Sequence, residues 1–209
     1  MIRRSALLIF FVFSTFLQIE NARAGGGPLG IDQRWSYDDS GIYKRSIQKN
    51  LLTLLVAGDF AGALWEGDQS RLGKTMWQSV DSTILASGSA AVMKAVFTRS
   101  RPIQGNDPNQ FFQGSGHYSF PSGEVAAMSA LVTPFVLEYR QDTPWAYALE
   151  ALPVYDGVAR MKVQAHWQTD VLAGFALGTL SGYYAHSRKK SFTLALLPGG
   201  LAIGIKRQF

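Results

Sequence analysis

His166 and Asp170 stand four residues apart, a spacing that places both on one face of a helix running through them. A carboxylate so placed accepts the imidazole Nδ1 proton, which fixes the tautomer and leaves Nε2 as nucleophile or base. Three cations accompany the pair: Lys94, Arg101 and, six residues before the histidine, Arg160. Two guanidinium forks and an ammonium converging on one point suit a phosphate, whose oxygens the forks bind in pairs. Between them Pro121-Ser122-Gly123 closes a loop and opens a helix. Ser122 is a natural N-cap, Gly123 permits close backbone approach, and the free N–H groups of a first turn point at an anion. Taken singly, each has a plainer use as a first-turn acid, a solvated surface charge or an ordinary cap. Their weight lies in the combination.

The elements that must bring these residues together are helices. Apolar patterning of helical period covers about 48–65, 75–97, 122–140 and 166–188, with a weaker fifth segment at about 144–154. The expected fold is therefore all-α, a bundle of about five or six core helices. Between the second and third helices, Thr98 to Pro121 carries three prolines and three glycines and reads as a long loop, a feature that usually serves function. Residues 25–46 show no sustained period and read as an irregular lead-in. The tail alternates Phe192, Leu194 and Leu196, then turns at Pro198-Gly199-Gly200, which predicts a short C-terminal β-hairpin. The apolar runs 125–139 and 171–184 fall short of the ~18 residues of a spanning helix, which favours a largely soluble bundle with its most apolar helices buried.

Composition narrows the chemistry. The 209 residues are 47% hydrophobic with 8 prolines, enough apolar side chain to fold. The absence of cysteine excludes disulfides, thiolate nucleophiles and Cys-ligated metal, and three histidines leave little for a His-built metal site. The net charge of +5 shows no block of like charge, so nucleic acid is not an expected partner. Arg3 and Arg4, the apolar run 6–19 and Ala22-Arg23-Ala24 follow the order of a secretory signal peptide, with an uncleaved anchor as the alternative. The expected organisation is a signal peptide at 1–24 and one domain at 25–209, exported to the periplasm or cell envelope.

Lys94-x6-Arg101-Pro102, then Pro121-Ser122-Gly123, then Arg160-x5-His166-x3-Asp170 resembles the three-part signature of the type 2 phosphatidic acid phosphatase superfamily, which includes class A acid phosphatases and vanadium haloperoxidases. The resemblance runs from Lys94 to Asp170. It implies a phosphatase acting on phosphate monoesters or pyrophosphates, with His166 forming a phosphohistidine and Asp170 orienting it. Lys94, Arg101, Arg160, Ser122 and the Gly123 N–H would hold the phosphoryl oxygens. Transition-state charge is then stabilised without metal, so no cofactor is expected and vanadate should inhibit as a phosphate mimic. The family's middle motif ends in a histidine that protonates the leaving oxygen, whereas this chain has Glu124. Two roles are open to it: a general acid, which requires a raised pKa, or a carboxylate holding an arginine or a cationic substrate group. His117 in the preceding loop is a substitute acid.

Aromatic residues near the motifs, among them Trp65, Phe97, Phe111, Phe112, Tyr118 and Trp167, favour an apolar leaving group such as a lipid, with peripheral membrane association. The rival readings are a lapsed enzyme that binds phosphate without turnover, and a vanadate-dependent haloperoxidase.

Overall fold

The computed structural model describes residues 25–188 and 191–193. The expected signal peptide lies outside the described residues, as does all of the expected hairpin beyond Thr193. Five α-helices are present among the described residues: α1 (Arg45–Glu66), α2 (Arg71–Phe97), α3 (Gly123–Tyr139), α4 (Ala151–Lys162) and α5 (Gln168–Ser187). Their positions follow the apolar periodicity to within a few residues, except at the weak fifth segment. There the chain makes a 3-10 turn at Pro144–Glu150, and the α-helix runs on to Lys162. Pro153 does not stop it, because a proline in a first turn lacks only an N–H that had no helical partner.

Helix α3 is the centre of the bundle. Eleven of its residues are buried, and α2 and α5 pack along its sides. The α3–α5 contact is unusually close. A Cβ at Gly174 would meet the Ser122 carbonyl oxygen at 2.6 Å, and one at Gly178 would collide with the Ala126 carbonyl. Glycine at these two positions lets backbone lie on backbone. The chemical consequence appears at the helix starts, where Ser122 N–H donates to the Asp170 carbonyl at 2.9 Å. Two segments 48 residues apart in sequence are thereby joined at the point where the signature residues sit.

Only α3 is buried on most sides. Of the two most apolar runs, 125–139 is buried as expected, whereas the helix over 171–184 exposes Leu180, Tyr183 and Tyr184; Leu54, Phe60, Leu64 and Trp65 of α1 and Ile84, Val92 and Val96 of α2 are exposed as well. A single layer of helices around α3 has an outer face, and on α1, α2 and α5 that face is apolar. Among the described residues one stretch, Arg71–Gln104, is long and apolar enough to cross a membrane by length and composition.

The lead-in is ordered against the bundle. Gly26 and Asp32 form an antiparallel bridge, and Asp38 N–H donates to the Lys162 carbonyl. At the other end Ser191, Phe192 and Thr193 dock on α2 through the Asp81 carboxylate.

Candidate active site

Lys94 ends α2, and its ammonium donates to the carbonyls of Tyr118 (2.8 Å) and Pro121 (2.6 Å), which ties the long loop to the start of α3. A Cβ on Gly123 would lie 3.4 Å from Lys94 Cε, so this glycine leaves the lysine room beside the first turn. Burial first, and then repulsion from Arg101 and Arg160, push the Lys94 ammonium down to about 8. The three cations predicted from sequence thus act on one another. Arg101 opens the turn at Pro102–Gln104 and reaches back to the Tyr118 carbonyl. Arg160, in the last turn of α4, is 5% exposed, and its Nε has no hydrogen-bond partner.

Ser122 occupies the N-cap position of α3, but its side chain does not cap. Its Oγ is buried and without a protein partner. Buried donors left unpaired cost free energy unless something else satisfies them, and an anion's oxygens would satisfy both Ser122 Oγ and Arg160 Nε.

His166 and Asp170 come together in a different way from the one their spacing predicts. His166 precedes α5, Trp167 is the N-cap, and Asp170 is the third helical residue, its Oδ2 accepting from Trp167 N–H at 2.8 Å. The Asp170 carboxylate is already engaged by protein donors. Ser119 Oγ donates to Oδ2 at 2.5 Å and the Arg99 guanidinium to Oδ1 at 2.6 Å. The His166 Nδ1 is 3.8 Å from Oδ2, beyond hydrogen-bond length, and has no hydrogen-bond partner. Burial, with repulsion from Arg160 and Lys94 and against the pull of Asp170, pushes the His166 imidazole down to about 3. The ring is therefore neutral at physiological pH, the form whose nitrogen lone pair can attack.

Glu124 lies in the first turn of α3, and Arg45 of α1 grips its carboxylate with two hydrogen bonds, 2.6 and 2.5 Å. Arg160 Nε lies 4.0 Å from the same group. Burial works to raise the Glu124 carboxyl, but the Arg45 hydrogen bonds and the charge of Arg160 outweigh it and hold the group below its ordinary value. Gln48, one turn along α1, accepts from both Arg45 and Arg160 at 3.3 Å. Asp156 is fully buried in the same neighbourhood with neither oxygen hydrogen-bonded, and burial, with the charge of Glu124, pushes it up to about 7. His117 pairs through Nδ1 with Ser100 Oγ, 2.9 Å away in the loop.

Arg45, Gln48, Asp156, Arg99, Asp32 and Ser119 escape the sequence reading. No spacing connects Arg45 to Glu124 or Asp32 to Arg99, because those contacts join segments 79 and 67 residues apart. Of the aromatic residues, Phe97, Phe111, Phe112 and Phe120 form one cluster beside the loop. Trp167 is buried with its indole N–H on the Ser100 carbonyl, while Trp65 lies at the opposite end of α1 from Arg45. Among the described residues no three or more histidine and carboxylate groups gather as a metal site requires.

Lys94, Arg101 and the buried Arg160 act on one another, and Lys94 and Arg160 act on a neutral histidine that directly precedes α5. The PAP2 superfamily matches residues 76–193, more than half of the chain, and the protein belongs to that superfamily. Among its relatives, a lipid A 1-phosphatase of Porphyromonas gingivalis is 31% identical over 134 residues, 63% of this chain and 28% of that protein. A lipid A 1-phosphatase of Rhizobium etli is 32% identical over 103 residues, 46% of this chain and 43% of that protein. The chain thus spans less than half the length of these relatives. No solved structure matches it.

Proposed function

We propose that the protein is an exported phosphatase that hydrolyses a phosphorylated lipid through a phosphohistidine at His166. The observation that carries this reading is that Lys94, Arg101 and Arg160 act on one another and Lys94 and Arg160 on the buried His166, while Ser122 is tied to Asp170 through its backbone and leaves its buried hydroxyl unpaired. The names of the relatives support a lipid phosphate as substrate. The exposed apolar side chains of α1, α2 and α5 support membrane association.

In this reading the substrate phosphate lies among Lys94, Arg101, Arg160, Ser122 Oγ and the Gly123 N–H. His166 Nε2 attacks phosphorus with its lone pair. The bond from phosphorus to the ester oxygen breaks, and its electron pair leaves with that oxygen, which takes a proton to become the alcohol. Water then attacks the phosphohistidine, the P–N electron pair returns to Nε2, and phosphate departs. The cations stabilise charge spread over the equatorial oxygens in both steps, and Asp170 stabilises the positive charge that appears on the ring. Glu124 takes the second of its two open roles: ionised, it holds Arg45 and Arg160 in place, and the leaving oxygen draws its proton from solvent.

The Glu124–Arg45 pair also favours a second reading, a lapsed enzyme that keeps its phosphate pocket. Phosphate release from a lipid phosphate and from a chromogenic aryl ester, each with and without vanadate, separates the two. Vanadate-sensitive release that disappears in His166→Ala is the expected result. Binding of vanadate with no release from either substrate would leave the binding protein.

A further inference from the structure

We propose that Asp32 and Arg99 are positioning residues for the reaction at His166, with Arg99 divided between two carboxylates so that Asp170 keeps negative charge to offer the histidine. This inference rests on the phosphohistidine reading above. The geometry is specific. Arg99 is wholly buried, and its NH1 donates to Asp170 Oδ1 (2.6 Å) and Thr169 Oγ1 (2.7 Å). Its NH2 donates to Asp32 Oδ2 at 2.6 Å, and both NH2 and Nε donate to the Pro108 carbonyl. The guanidinium also lies over the Phe111 ring, 4.6 Å from its centroid.

Asp32 comes from the lead-in. Its Oδ1 accepts from Thr169 N–H (2.7 Å), a donor of the first turn of α5 that has no helical partner, and its Oδ2 accepts from the Thr169 hydroxyl (2.6 Å). Gly27, at φ 79°, makes room: a Cβ there would collide with the Asp32 carboxylate. The strap is thus shaped to deliver one carboxylate to one buried arginine.

The charge count explains why. Arg99 and Asp170 alone would form a neutral pair, and a neutralised carboxylate does little for an imidazolium forming 3.8 Å away. Asp32 brings the dry trio to a net charge of minus one. The other charged or titratable groups acting on Asp170 are His166, Lys94 and Arg101. In the transition state His166 gains positive charge, and the excess on the trio meets it.

Charge and docking make opposite predictions for a double variant. Asp32→Asn leaves Arg99 to neutralise Asp170 alone, and kcat should fall by about 10–100-fold, by analogy with the loss of groups that orient a metal-bound histidine. KM and the vanadate dissociation constant should stay within about twofold, since the proposed phosphate-binding residues are untouched. Asp32→Asn combined with Arg99→Gln removes one charge of each sign, returns Asp170 its excess, and should recover kcat over Asp32→Asn alone. Thr169→Val, which loosens the same strap without altering charge, should keep kcat within about threefold. If the strap merely docks, the double variant is slower than either single one and Thr169→Val matches Asp32→Asn, which overturns the proposal. Should Asp32→Asn fail to fold, the charge-balanced double variant and Thr169→Val carry the test. A wild type inactive on every ester, or a His166→Ala variant as active as wild type, would instead sink the phosphohistidine reading.

Discussion

Two acidic residues open two adjacent helices in this protein, and the arginines that meet them differ. Glu124, in the first turn of α3, is gripped by Arg45, a side chain from α1 that is 32% exposed. Asp170, in the first turn of α5, is met by Arg99, which no solvent reaches and which serves a second carboxylate as well. Both acids are held below their ordinary values against burial. Asp59 on α1, a buried carboxylate with no arginine, is pushed up to about 7 by that burial. Burial alone would neutralise these acids; hydrogen bonds from an arginine decide which remain charged, and Asp156, near Arg45 and Arg160 but bonded to neither, is pushed up to about 7. A paired Glu124 is a lever that fixes arginines, and a shared Arg99 leaves Asp170 charge to spend on its neighbour.

The largest break in this picture is His166→Ala, which should reduce phosphate release by at least about a thousandfold, because the nucleophile is lost. Vanadate affinity, read by inhibition of binding of a phosphate ligand, should change far less. Asp170→Asn comes next, slowing turnover by about 10–100-fold through loss of charge behind the histidine. It should cost less than His166→Ala, and an equal loss would mean that Asp170 is needed to fold the start of α5 rather than to support the ring.

Glu124→Gln removes the grip on Arg45 and should reduce kcat/KM by about tenfold, through one charge-assisted pair. The reduction should be alike for alkyl and aryl esters. A general acid would instead show as a far greater loss on the poor alkyl leaving group, and that result would restore Glu124 to proton transfer. The pH dependence sharpens the point. Because the Glu124 pKa is lowered on folding, its contribution to stability is present above the ordinary glutamate value of 4.5 and fades as the pH falls through the folded value. The Tm difference between wild type and Glu124→Gln that comes from this pair should therefore close in acid, below about pH 4.5.

Asp59→Asn tests the unpaired case with the opposite sign. Its folded pKa is raised, so the wild type loses stability as pH rises from about 4 towards 7, and the variant does not. The variant should melt about 5 °C above wild type at pH 8, with the gap closing near pH 4. The smallest effect is expected at the apolar outer face. Trp65→Ser combined with Leu54→Ser should lower activity on a lipid phosphate in vesicles by a few-fold, leaving a soluble aryl ester unchanged. Equal effects on both would remove the membrane from the account of that face.

Much of the fold was legible without coordinates, because helices repeat every 3.6 residues and the apolar pattern follows that period. The signature residues were legible for a related reason: Lys94 and Arg101, Pro121 to Gly123, and Arg160 to Asp170 are local groupings whose residue types already imply an anion. Sequence likewise determined that thiolate chemistry is excluded. It misplaced His166 by treating the four-residue spacing as a turn of helix. The chain instead enters α5 at Trp167, where Asp170 serves a helix-start N–H before it serves the histidine.

Tertiary structure alone decided the partners. Whether Glu124 is protonated or ionised turns on Arg45, and how much of the Asp170 charge is neutralised turns on Arg99 and Asp32, all delivered by segments distant in sequence. A pKa is set by what lies within a few ångströms after burial has stripped water away, and the order of residues along the chain does not state that distance. The close packing of α5 on α3 at Gly174 and Gly178 brings the two helix starts together, so that Ser122 of one local motif is bonded to Asp170 of another.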